Sequence, residues 1–247
     1  MDHGFWFDRK KLCPNVIQNL EFIAAMGEPG GGRTEISPRI ISNFHVLNFT
    51  IPNEAITKRI YEVICEFKFQ GFYDEIKQLY DVLPLATIQI FNEAKRTFLP
   101  TPQLCHYQFN MRDISKVFQG LFKADKNFYD SKEQIIKLWG HEIQRVFQDR
   151  LAENLIYNHG TKLREILNDA LEQHFQMNFN EHVATVKGKE GEETYLDPIF
   201  VDFLGYEDMR VYEEVHDMGK LKVSLENSLE GFNNQPRATF MDMVLFE

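Results

Sequence analysis

Cysteine is scarce in this chain. The three present, Cys13, Cys65 and Cys105, are far apart and form no C-x-x-C pair, which excludes a disulfide framework or a thiolate zinc site and points to a reducing compartment. Positive charge is also short. With 27 Lys and Arg against 37 Asp and Glu, the net charge is −10, so the basic face that a nucleic-acid partner requires is missing. No apolar run approaches the ~20 residues of a membrane span, and the N-terminal stretch MDHGFWFDRKK has no signal-peptide hydrophobic region. The expectation is a soluble, cytosolic protein with neither a nucleic-acid nor a membrane partner. Metal chemistry lacks its spacing too: His106, His141, His159, His174, His182 and His216 make no H-E-x-x-H, because His141-Glu142 has no second histidine four residues after the first. No internal repeat or low-complexity tract occurs at useful length.

What is present is ordinary globular composition, 43% hydrophobic and 26% charged, with 22 phenylalanines that suit core and inter-module packing. One stretch stands out. Gly27 to Thr34, GEPGGGRT, follows the apolar run Leu20 to Met26 and precedes ISPRIISNF. Glycines let backbone N–H groups crowd an anion, and a following helix adds the positive end of its dipole. The letters approach G-x-x-x-x-G-K-[ST], with Arg33 at the lysine position. Lysine acts there as a compact point charge, and arginine is a broad planar fork. A phosphate-binding loop of that kind also needs an acidic strand end for magnesium, and the best candidate, Ile199 to Asp202, lies beyond five helical stretches. A direct phosphate cradle, a plain connecting turn and a turn beside a nucleotide held by other residues all remain open at this point.

In chain order, Met1 to Lys11 is aromatic-rich (Phe5, Trp6, Phe7) and reads as the end of a buried element. Leu20 to Met26 and Val46 to Ile51 are short apolar runs expected as strands covered on both faces. Between them Ser37 and Pro38 supply an N-cap and a first helical position. From Asn53 the period becomes helical: Ile56, Ile60, Val63, Ile64 and Phe67 share one face, and Gly71 follows as a stop. Further helices are expected from Phe72, over Leu83 to Phe98, from Asn110 with Asp113 completing a capping-box variant, and from Ser131 with Ile136, Trp139, Ile143, Val146, Phe147 and Leu151 inward. Thr161 to Met177 and the stretch around Met218 to Phe232 are helical as well. Lys187 to Glu193 reads as a charged solvent loop. Hydrophobic segments at both ends suggest a chain cut from something longer.

Several of these strings resemble the AAA+ modules of dynein heavy chains over nearly the whole chain. MDHGFWFDRKK is similar to the segment after the Walker B strand of the third module, and LEFIAAMGEPGGGRTEISPRIISNF to its sensor I strand, glycine-rich turn and helix. HYQFNMRD, His106 to Asp113, resembles the sensor II element; SKVFQGLF and IKLWGHEIQRVFQDRL resemble the rest of the lid. YEEVHDMGKLKVSLENSLEGFN and the terminal MDMVLF are similar to the start of the fourth module. Departures from the general pattern lean towards an axonemal heavy chain.

The resemblance implies a mainly α fold with a small α/β part. Residues 1–52 would be the C-terminal part of an AAA+ large α/β subdomain, 53–158 its helical lid, and 159–247 the N-terminal part of the following module. It implies Arg112 as sensor II, touching the γ-phosphate, and Arg39 as the arginine finger, with Arg33 as the rival. Ser42 stands where a second basic residue is often found. Gly27, Gly30, Gly31 and Gly32 would form the sensor I turn, beside the nucleotide rather than around it, and Gly27 offers no side chain to orient the attacking water. ATP or ADP with magnesium would be the cofactor of the intact module, with none expected on the isolated chain, which lacks Walker A and Walker B and is expected to be inactive. The implied partners are other ring modules, dynein intermediate and light chains, and microtubules; the implied location is cytoskeletal, in the axoneme of a cilium or flagellum. The rival readings are a self-contained degenerate P-loop ATPase and a non-catalytic dynein-derived interaction fragment.

Overall fold

Asp8 makes the first turn of the molecule. Its Oδ1 accepts the backbone N–H groups of Lys10 (2.8 Å) and Lys11 (3.2 Å), and Leu12 takes a left-handed φ of 52°. The side chain thereby does what a turn backbone would do. On either side, β1 (Phe5–Asp8) and β2 (Cys13–Val16) pair antiparallel, Phe7 opposite Pro14. The computed structural model describes residues 5–16, 19, 21–27, 35–50, 52–152, 158–177, 185–187, 193–195, 198–204, 210–235 and 240–242. It divides into two units, Met1–Ile51 and Pro52–Glu247.

In the first unit the hairpin is followed by α1 (Pro38–Ile41), with Pro38 in its first turn. Ser42 Oγ and Asn43 Nδ2 both donate to the carbonyl of Arg39 at 2.9 Å, which closes the helix after one turn. Two expectations need correction. Phe5 to Phe7 belong to a hairpin, and Phe7, expected in a buried element, is half exposed. The described parts of Leu20 to Met26 and Val46 to Ile51 form no strand: residues 21–27 and 45–50 are irregular, with Ile23 95% and Phe49 86% exposed. Apolar content does not make a strand without a neighbour to pair its N–H and C=O groups. Among the described residues of this unit, only β1 and β2 offer each other that edge.

The second unit is helical. Asn53 caps α2 (Glu54–Phe69) by accepting the Ile56 N–H at 2.8 Å. The helix buries Thr57, Tyr61, Cys65 and Phe69, four residues apart. The Ile56, Ile60, Val63, Ile64, Phe67 face is exposed instead, Phe67 at 76%. This helix is apolar on two sides, and the aromatic side wins: Tyr61 stacks on Phe118 with centroids 4.5 Å apart and its hydroxyl lies 2.7 Å from Ser115 Oγ. Burial of Cys65 pushes its thiol up to about 12, so it serves as a core residue and not as a nucleophile.

After the short α3 (Asp74–Lys77), α4 (Val82–Thr97) runs through the centre, burying Leu83, Ala86, Ile88, Ile90, Phe91 and Ala94. Pro84 sits in its first turn, where a missing N–H costs nothing. Thr87, fully buried, donates to the Leu83 carbonyl and accepts the Trp139 indole N–H at 2.9 Å. Next come α5 (Met111–Leu121) and α6 (Lys132–Ile143), each opened by a capping box, Asn110 with Asp113 and Ser131 with Gln134. A π-helical turn, Gln144–Gln148, continues α6. The helix α7 (His159–Phe175) packs on α4 and on that turn, ending with Gln176 in the left-handed region. Two strand pairs follow, β3 (Thr185–Lys187) with β4 (Glu193–Tyr195) and β5 (Phe200–Val201) with β6 (Glu213–Glu214); α8 (Met218–Asn233) is last, capped by Asp217. The expected charged loop thus has strands at its two ends, and residues 188–192 lie outside the described ones. Among the described residues, no helix is long and apolar enough to cross a membrane.

Candidate functional site

The first turn of α5 is held from two directions. Asn110 Oδ1 accepts the Arg112 N–H at 2.9 Å, and Asp113 Oδ2 accepts the Asn110 N–H at 2.9 Å. The other oxygen of Asp113 accepts Arg150 Nη2 at 2.8 Å, with Lys116 Nζ at 3.9 Å. Asp113 is 3% exposed, so its charge is compensated where water is largely excluded. Arg112 is one residue earlier. Its side chain is exposed and makes no hydrogen bond or ion pair among the described residues. A guanidinium with five unused donors at a fixed helix N-terminus suits a phosphate or carboxylate oxygen pair.

Arg150 connects this turn to the end of the π-helical segment. Its Nε donates to the Val146 carbonyl (2.9 Å), Nη1 reaches the Gln108 carbonyl (3.4 Å), and the guanidinium lies 5.2 Å from the Phe109 ring centroid. The Arg150 carbonyl in turn lies 3.1 Å from His106 Nε2. Alongside, the buried Tyr107 hydroxyl accepts the Ala152 N–H at 2.7 Å and meets His159 Nδ1 at 2.9 Å.

A second buried charge lies one helix away. Glu142 is fully buried and accepts Arg145 Nε and Nη2 on one oxygen (2.9 and 2.6 Å) and the Tyr212 hydroxyl on the other (2.6 Å). Burial first and the Glu142 contact next push the Tyr212 phenol far up, keeping it the donor. Burial alone would lower Arg145, but the Glu142 hydrogen bond and charge outweigh it and raise the guanidinium. Tyr129, pushed up by burial and by the charges of Glu214, Glu213 and Glu142, donates to the Tyr212 carbonyl. Gly120 of α5 faces this carboxylate so closely that a Cβ there would stand 2.0 Å from it. The network ties α5 and α6 to the β5–β6 pair, as do His141 Nδ1 to the Pro198 carbonyl (3.1 Å), Lys123 to Asp202 (3.1 Å) and Lys137 to Glu214 (3.7 Å). With every oxygen of Glu142 occupied, this is a structural node and offers no free base.

Of the other residues singled out in the sequence, Gly27 is exposed and irregular, and Gly30, Gly31, Gly32 and Arg33 lie outside the described residues. Arg39 is on the exposed surface of α1, in the first unit, while Arg112 belongs to the second. No three His, Cys, Asp or Glu side chains converge as a metal site among the described residues. Sequence reasoning missed Arg150, Glu142 and Tyr212. Glu142 and Arg145 were visible as an i,i+3 pair, but Arg150 is 37 residues from Asp113, and nothing local announces that meeting.

Comparison with known proteins supplies the context. The family model described as the dynein heavy chain ATPase lid domain matches residues 62–155, and that of the P-loop containing dynein motor region matches residues 1–52. Dynein axonemal heavy chain 2 of Mus musculus is 41% identical over 246 residues, and that of Homo sapiens 40%. Dynein-1-beta heavy chain of the flagellar inner arm I1 complex of Chlamydomonas reinhardtii is 38% identical over 247 residues. Each alignment covers 100% of this chain and 5% of the relative, so the chain spans about one-twentieth of the length of these proteins. Matched by two dynein models that together span more than half of its length, and end to end by relatives at 38–41% identity, the chain belongs to the dynein heavy chain family, as a partial AAA+ module with a helical lid.

Proposed function

We propose that the chain carries the sensor and lid half of a regulatory nucleotide site in the motor ring of an axonemal dynein heavy chain. On this reading, residues 1–52 close the large subdomain of the third module, 53–158 form its lid and 159–247 begin the fourth. The observation that carries it is the exposed Arg112 guanidinium, projecting from the doubly braced first turn of α5 and unpaired among the described residues. Bidentate contact to the terminal phosphate would let the lid respond to whether that phosphate is present. Arg39, or Arg33, would reach the nucleotide of a neighbouring module and stabilise charge in its transition state.

ATP, when bound to the intact module, supplies the phosphoryl chemistry. The donor set fits a phosphate at Arg112; for magnesium, the described residues bring no cluster of oxygen ligands together, and its binding would fall to other parts of the module. The parent protein would be a minus-end-directed microtubule motor in the cilium or flagellum, with intermediate and light chains as further partners. The exposed apolar face of α2 suits packing against other modules of the ring.

Purified, the 247-residue chain is expected to show no steady-state ATP turnover. Turnover that is abolished by Gly32→Val would overturn this reading in favour of a self-contained P-loop enzyme.

A further inference from the structure

We infer that Arg150 is the positioning residue for Arg112, fixing the direction of the sensing guanidinium from the far end of the lid. The inference rests on the proposed sensing role of Arg112 and adds the part that holds it. Asp113 divides its carboxylate between two tasks: Oδ2 closes the Asn110 cap and Oδ1 receives Arg150. Arg112 lies between Asn110 and Asp113, so the backbone that aims it is fixed on both sides.

Arg150 is suited to this by shape. Its fork makes separate contacts to Asp113, the Gln108 carbonyl and the Val146 carbonyl, and its plane covers Phe109. A lysine could supply charge at one of these places but not all. The pair is sheltered, with side-chain exposures of 24% for Arg150 and 4% for Asp113, so it holds geometry better than a surface ion pair. Two further bonds join the same segments independently, His106 to the Arg150 carbonyl and the Ala152 N–H to the Tyr107 hydroxyl. A displacement of residues 148–152 would therefore move the first turn of α5, and a shift at Arg112 would be felt where the chain leaves the π-helical turn for α7. One arginine reaches for the ligand while the other sets where it reaches from.

Two measurements test this. In the 247-residue chain, Arg150→Met is expected to speed hydrogen exchange of the Arg112 and Asp113 amides by about tenfold or more while the amides of α4 stay protected. In the intact heavy chain carrying this sequence, Arg112→Ala and Arg150→Met should each raise the ATP concentration for half-maximal microtubule release by about tenfold. The double variant should be no worse than the stronger single one, because both remove the same contact. Arg150→Lys should fall between wild type and Arg150→Met, and it carries the test if the methionine variant does not fold. A shift with Arg112→Ala but none with either Arg150 variant overturns the positioning role and leaves the sensing role standing. Additive shifts overturn it as well. No shift with Arg112→Ala removes the sensing role, and the positioning role with it, whatever the exchange data show.

Discussion

His141 is a half-buried side chain with one ring nitrogen fully buried. In the neutral ring Nδ1 must carry the proton to donate to the Pro198 carbonyl, so the unprotonated nitrogen is Nε2, which is buried and without a hydrogen-bond partner among the described residues. Burial lowers its pKa below the ordinary 6.5, against the opposing pull of Glu142. The unfolded chain takes up a proton near pH 6.5 before the folded one does, so stability contributed by neutral His141 is complete above that pH and declines as pH falls below it. The urea midpoint of the chain is expected to drop on acidification through that window, and His141→Phe should flatten the slope; an unchanged slope would mean that folding does not change the proton affinity of this imidazole. At this scale the Asn110–Asp113 cap and the helix start at Ser131 were plain in the sequence, because they are local patterns; the partnership of Ser131 with Gln134 came from the structure. Their tertiary partners were not: the meeting of Asp113 with Arg150, or Glu142 with Tyr212, spans 37 and 70 residues.

Among the elements, α5 and α6 are joined by an unusually tight fit. Gly120 is where the two can approach, since the Glu142 carboxylate occupies the space of a side chain. Gly120→Ala is expected to destabilise the chain by about 1–3 kcal/mol in denaturant unfolding, or more if the displaced carboxylate loses Arg145 or Tyr212. A loss within about 0.5 kcal/mol, the ordinary range of a surface change, would show that Glu142 can move aside freely. The five helices from Asn53 to the end of α6 were legible from period and caps. The inward face of α2 was not, because Tyr61 and Phe69 compete with a second apolar stripe, and only packing against Phe118 and Phe72 decides between them. The expected strands failed for a related reason: hydrophobicity marks a segment that wants a partner without saying whether one is there.

For the whole molecule, the second unit is a helical assembly around α4, and contacts of α7 with α4 continue its core past residue 158. The described residues of the first unit form a hairpin, one helical turn and largely exposed chain. Family membership could be seen in long ordered strings such as HYQFNMRD and HEIQRVFQDRL, whereas the roles proposed for Arg112, Arg39 and Arg33 would depend on a nucleotide and neighbouring modules. Of the glycine-rich turn that first suggested a phosphate cradle, only Gly27 is among the described residues, and the proposed sensing role rests on Arg112 and its braced helix. In that role this arginine would carry nucleotide state into the lid. The most direct test is the nucleotide dependence of microtubule release by the intact heavy chain with Arg112→Ala. Release is expected to need about tenfold more ATP or to lose its dependence on nucleotide at this module; an unchanged dependence would rule out the sensing role of Arg112.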